Sequence, residues 1–188
     1  MMANRLILFL LIAGLAASKS VGSRQTEPHD SLRVDVSNLS GWTQVNPQPY
    51  YISSQVDIQC VAPKPVDYER VRKQNPHAST YITVFVNAAG SFAMFANPPQ
   101  RFPKGTVIVK RKFDQSSQNG TPILSTIMIK RDAGYNPEAG DWEFAVVSGD
   151  GKNVEAQGKL GNCMGCHASR RETDFVFRSY LPSKSRLK

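Results

Sequence analysis

Cys163, Met164, Gly165, Cys166 and His167 form a C-x-x-C-H pentapeptide near the end of the chain. No other feature limits what the chain can become as tightly. Two thiols at this spacing can each add to one of the two vinyl groups of a single porphyrin, and the next residue brings an imidazole under the iron. The pattern is the attachment signature of one c-type haem, with Cys163 and Cys166 as covalent anchors and His167 as the metal ligand. A zinc site would need a second Cys or His pair, and the remaining candidates, Cys60, His29 and His77, lack paired spacing. A thioredoxin-like dithiol would sit early in a βαβ unit, after a strand and before a helix.

The N-terminus points to the compartment. Met1 to Arg5 is a short positive region, Leu6 to Leu15 is apolar with one Gly, and small residues follow at Ala16, Ala17 and Ser18. This is the layout of a cleavable signal peptide over residues 1–18, with cleavage between 18 and 23. The apolar run falls short of the about 20 residues that span a bilayer. We therefore expect an exported protein, periplasmic in a bacterial cell. The formal charge is +8, with basic clusters at Lys110–Lys112 and Lys184–Lys188. Outside the cytoplasm nucleic acid is not the expected partner. A basic face suits docking of an acidic redox partner such as a soluble cytochrome, or simple solvation. Cys60 is left over and reads as a small buried hydrophobe.

Residues 19–41 are polar without periodicity and read as a flexible lead-in. Residues 42–182 form a single haem-binding domain, and 183–188 a basic tail. Within the domain, Trp42 to Ile58 is loop-rich, and Val66 to Lys73 is a candidate short helix. Thr80 to Val86 (T-Y-I-T-V-F-V) is a strand, rich in β-branched and aromatic residues. Ala88 to Phe95 reads as a short helix stopped by Asn97-Pro98-Pro99. Further strands are expected at Thr106–Phe113, Pro122–Arg131 and Trp142–Val147, with turns at 136–140 and at Gly149-Asp150-Gly151. A short helix carries the haem motif, and the aromatic tail Phe175–Tyr180 packs back on the body. The fold class is α+β, mainly antiparallel β-sheet with short peripheral helices. No segment has the sustained periodicity of a helical bundle.

The position of the motif bears on the iron's sixth ligand. Small electron-transfer cytochromes c carry it near the N-terminus, with a methionine far downstream. Here 21 residues follow His167 and none is Met. Met94 and Met128 read as core, and His77, after Pro76 in a polar stretch, as exposed. An open coordination position is favoured, which suits ligand binding over pure electron transfer.

The segments F-P-K-G-T-V-I-V-K (Phe102 to Lys110), M-I-K-R-D-A-G-Y-N-P-E-A-G-D-W-E-F-A-V (Met128 to Val146), C-M-G-C-H and D-F-V-F (Asp174 to Phe177) occur in that order. Together they resemble the cytochrome P460 and cytochrome c′-beta family over about residues 80–182. The resemblance implies a periplasmic, mostly antiparallel β homodimer holding one five-coordinate haem c. Some such proteins oxidise hydroxylamine, with a lysine joined to a porphyrin meso carbon, and the matching position is Lys110. Others bind nitric oxide.

Thr106, Ile108, Lys110 and Lys112 share one strand face. That face lies either in solvent or over the haem edge, where a neutral Lys110 amine could attack an activated ring. The hydroxylamine oxidisers also carry a distal carboxylate on the strand before the Gly140-Asp141-Trp142 turn. Counting back without gaps puts that position at Thr126, which is no base near neutral pH. Ser125, Met128 and Lys130 on the same strand do not supply one, which weakens the hydroxylamine reading. Nitric oxide needs only an open iron and an apolar pocket. Phe85, Phe92, Phe95 and Phe102 are candidate walls, Phe102 being taken as haem-binding. The readings carried forward are a nitrogen-oxide binder, a hydroxylamine oxidoreductase with a Lys110 crosslink, and a plain electron carrier.

Overall fold

The computed structural model describes residues 34–54, 77–114 and 120–182, together with Val66 and Arg70. The signal segment, Cys60, the basic tail and most of the expected Val66–Lys73 helix lie outside these residues. No helix among the described residues is long and apolar enough to cross a membrane.

An antiparallel sheet organises the described chain. Strand β3 (Thr80–Val86) leads into β4 (Val107–Phe113), β5 (Leu124–Lys130), β6 (Trp142–Ser148) and β7 (Val154–Gly158), each paired with the strand before it. Two short strands, β1 (Thr43–Gln44) and β2 (Tyr50–Ile52), share the outer edge of β3. The alternation of β-branched and aromatic residues in β3 to β6 is what a pleated surface buried on both faces selects. The helix Ala88–Phe95 occupies its expected span. Asn87 caps it, its side-chain oxygen accepting from the Gly90 N–H. The α+β class with peripheral helices is the one observed.

Each sheet face covers its own apolar cluster. One face carries Ile82, Val84, Val86, Ile108, Met128, Trp142 and Phe144, packed under Phe102, Phe175, Val176, Tyr180 and Leu181. The other carries Val109, Ile127, Ile129, Ala145 and Val147 under Val36 and Leu39. The C-terminal tail thus packs back on the first face, as the aromatic run suggested.

Four expectations change. The sequence reading assigns no strand between the Gly149-Asp150-Gly151 turn and the haem helix; β7 forms there, its polar V-E-A-Q-G held by pairing with β6. β1 and β2 fall in the segment read as loop-rich, too short to show periodicity. Residues 34–41 of the lead-in are anchored: Val36 and Leu39 are buried, and the Arg111 guanidinium donates to the Val36 and Ser37 carbonyls. Lys110–Lys112 is no surface cluster. Lys112 is buried and Lys110 half-buried, because both faces of β4 are covered.

Candidate functional site

The haem motif forms a short helix, Gly161–His167, that continues into a 3-10 helix over Ala168–Thr173. Helical spacing puts Cys163 and His167 one turn apart, with Cys166 beside the histidine. Cys163 is half-buried and Cys166 exposed, and neither is in a disulfide. His167 is buried, between the rings of Phe144 (centroids 5.4 Å apart) and Phe177 (5.1 Å).

One hydrogen bond fixes the chemistry of that imidazole. His167 Nδ1 lies 2.6 Å from the Phe175 carbonyl oxygen. A carbonyl only accepts, so Nδ1 carries the proton and Nε2 keeps its lone pair for a metal. Burial lowers the His167 pKa to about 4; the Phe175 hydrogen bond opposes this and the Lys110 charge adds to it. The ring is held neutral, as ligation requires.

A buried ion pair holds the accepting carbonyl in place. Asp174 and Phe175 both adopt left-handed backbone, with φ of 53° and 65°. The Asp174 carboxylate accepts from Lys130 Nζ (2.6 Å) and from the Phe102 N–H (2.8 Å). Its backbone carbonyl accepts from the Trp142 indole N–H (2.8 Å). Lys130 also donates to the Gly140 carbonyl (2.7 Å) and stacks over the Trp142 ring. Gly140 has φ of 63°, and a Cβ there would meet the Phe175 ring at 2.5 Å. The G-D-W turn, β5 and the D-F-V-F segment therefore converge behind the proximal histidine.

In front of it lies a cavity of about 270 Å³, lined by Cys166, His167, Arg170, Phe177, Ser179 and Tyr180 from the C-terminal segment. Ile82 and Lys110 come from the sheet, Tyr50 to Ser53 from β2 and its end, and His77 from the turn before β3. None of these is Asp or Glu. Lys110 keeps part of its surface open, yet burial lowers its ammonium pKa to about 8, opposed by the charges of Cys166 and Cys163. Neither sulfur can carry a negative charge once it is a thioether, so those two opposing contributions then vanish.

His77 corrects the sequence reading. It is half-buried in the cavity wall, not exposed, and its pKa falls to about 2 through burial first and then the charges of Lys110, Lys112 and His167. The signal missed was the pairing of Ile52 with Thr80, which folds β2 over this turn.

The other site candidates separate. Thr126 sits directly across the ladder from Lys110 on the same face, half-buried, but is not among the cavity's lining residues. Phe102 packs edge-on against Trp142 and lines no part of the cavity among the described residues. Phe92 is exposed, Phe85 faces the second cluster, and Phe95 packs against the first. Met94 and Met128 are core, as read. Glu143 lies on the far face, bound to Arg131 and Gln157. Lys130, Gly140 and Asp174 were not singled out as site residues, since nothing local marks a long-range ion pair.

The arrangement fits a haem. Two thiols and a neutral imidazole with a free Nε2 lie on one helix beside an aromatic-walled cavity. Among the described residues, no three His, Cys, Asp or Glu side chains gather as a structural zinc site requires. His167 would hold the iron, Cys163 and Cys166 the porphyrin edge, and Lys110 would lie alongside it. No curated protein matches the chain. The cytochrome P460 family profile matches residues 65–178, starting upstream of the stretch whose motifs suggested it. With most of the 188 residues covered, this chain belongs to the cytochrome P460 family and is a haem c protein of that kind.

Proposed function

We propose that the chain is an exported haem c protein whose iron keeps one open position and binds small nitrogen compounds such as nitric oxide. The observation carrying this reading is the cavity wall: aromatic and aliphatic side chains with two serines, two histidines, a lysine and an arginine, and no acidic side chain among the described lining residues. The haem supplies a metal that takes a neutral diatomic directly. The protein's part is to present one neutral imidazole, exclude water with Phe177, Ile82 and Tyr180, and offer, among the described lining residues, no carboxylate to take protons from a bound amine. The mature protein belongs in the periplasm, with a soluble cytochrome as redox partner and a second copy as dimer mate.

Hydroxylamine oxidation is the second reading. It is favoured by Lys110, whose pKa of about 8 leaves a fraction of neutral amine at pH 7, which could bond to a ring carbon where a two-electron oxidant such as a peroxide removes the two hydrogens lost. Two measurements on the purified haem-loaded protein separate the readings. Nitric oxide titration is expected to give a stoichiometric spectral change. Turnover of hydroxylamine with an artificial electron acceptor is expected to be absent. Sustained turnover would replace the first reading by the second.

A further inference from the structure

His77 is the other histidine among the described residues, and neither the haem motif nor the open-iron reading uses it. Its position is built. The His77 carbonyl accepts from Thr80 Oγ1 (2.7 Å), which pins the turn to the start of β3. Ser79, two residues on, holds φ of 54°, a left-handed conformation that a non-glycine residue adopts only when its surroundings enforce it. The enforcing contacts come from β2 and its end: Ser79 N–H donates to the Ile52 carbonyl (2.7 Å), and the Ser54 and Ser79 hydroxyls share a hydrogen bond (2.7 Å). The same β2 segment lines the cavity, so turn and wall are one unit.

We propose that His77 is the ligand-contacting residue of this cavity, its imidazole N–H donating a hydrogen bond to a small nitrogen–oxygen ligand held at the haem. The inference rests on the open-iron reading and adds its recognition element. A neutral ring fits the role, since it keeps one N–H donor and adds no charge beside Lys110 and Lys112. The preferred ligand is then one with an accepting oxygen or nitrogen, nitric oxide or hydroxylamine, over carbon monoxide, which gains less from a donor.

The test uses the reduced haem-loaded protein with nitric oxide added. The N–O stretching frequency and the dissociation rate are compared between wild type, H77L and H77Q. In H77L the frequency is expected to rise and dissociation to speed up by roughly three- to tenfold, the range covered by one lost hydrogen bond. H77Q keeps an N–H donor and is expected to fall between. If H77L does not load haem, H77Q against wild type carries the comparison: a shift in the same direction supports the role, and none overturns it. Equal frequencies and rates in wild type and H77L overturn the proposal and leave the open-iron reading intact. Nitric oxide uptake by H77L and H77Q with none by wild type makes His77 a ligand of the iron, and overturns both.

Discussion

His167 and His77 are both kept neutral by burial, with pKa values of about 4 and about 2. Unfolding returns each to the ordinary value near 6.5. Between pH 6.5 and the folded values the unfolded chain binds more protons, so stability is full above about pH 6.5 and falls as the solution is acidified. A denaturation midpoint followed from pH 7 to pH 4 is expected to decline, and to decline less in H77Q, which lacks one of the two groups. An identical profile for the variant would remove His77 from the buried set. Lys110 gives a second test at this scale. Intact mass of the purified protein is expected to equal the mature chain plus one haem. A mass lower by two hydrogens, absent from K110M, would show the crosslink. Single residues were legible where their chemistry is local: C-x-x-C-H declares itself within five positions. His77 was not, because its burial depends on a three-residue strand that carries no pattern of its own.

Among the elements, the decisive contact joins β5 to the segment after the haem helix. Lys130 and Asp174 are separated by 44 positions and meet at 2.6 Å, with side chains 10% and 4% exposed. Removing one partner of such a buried pair leaves the other charge uncompensated and costs about 3–5 kcal/mol. K130M and D174N are each expected to lower the denaturation midpoint, and the double variant to lose less than their sum. Because Asp174 sets the backbone that presents the Phe175 carbonyl to His167, both single variants are also expected to shift the haem's reduction potential. Loss of stability with an unchanged potential would make the pair structural only. The strands themselves were readable from β-branched alternation, and the 80–86, 88–95 and 142–148 elements fall close to where pattern placed them. β7 escaped because its polar sequence suits an edge that only its neighbour specifies.

At the scale of the whole molecule, sequence order and site order diverge. From β3 to β7 the sheet is a meander in which neighbours in sequence pair in space, and this is why its class was legible. The site draws instead on β2, the turn at His77, β4 and the C-terminal segment, four regions brought together on one sheet face. A haem held by the Cys163–His167 segment would have that face as its wall. In a haem-maturing host, C163S/C166S protein is expected to release its haem on acidified solvent extraction, while wild type retains it. The proposed function requires an iron held by His167 with its other side free for a small molecule. Electron paramagnetic resonance of the ferric haem-loaded protein tests this most directly. An axial high-spin signal is the predicted result; a rhombic low-spin signal, from a side chain occupying the sixth position, would contradict it.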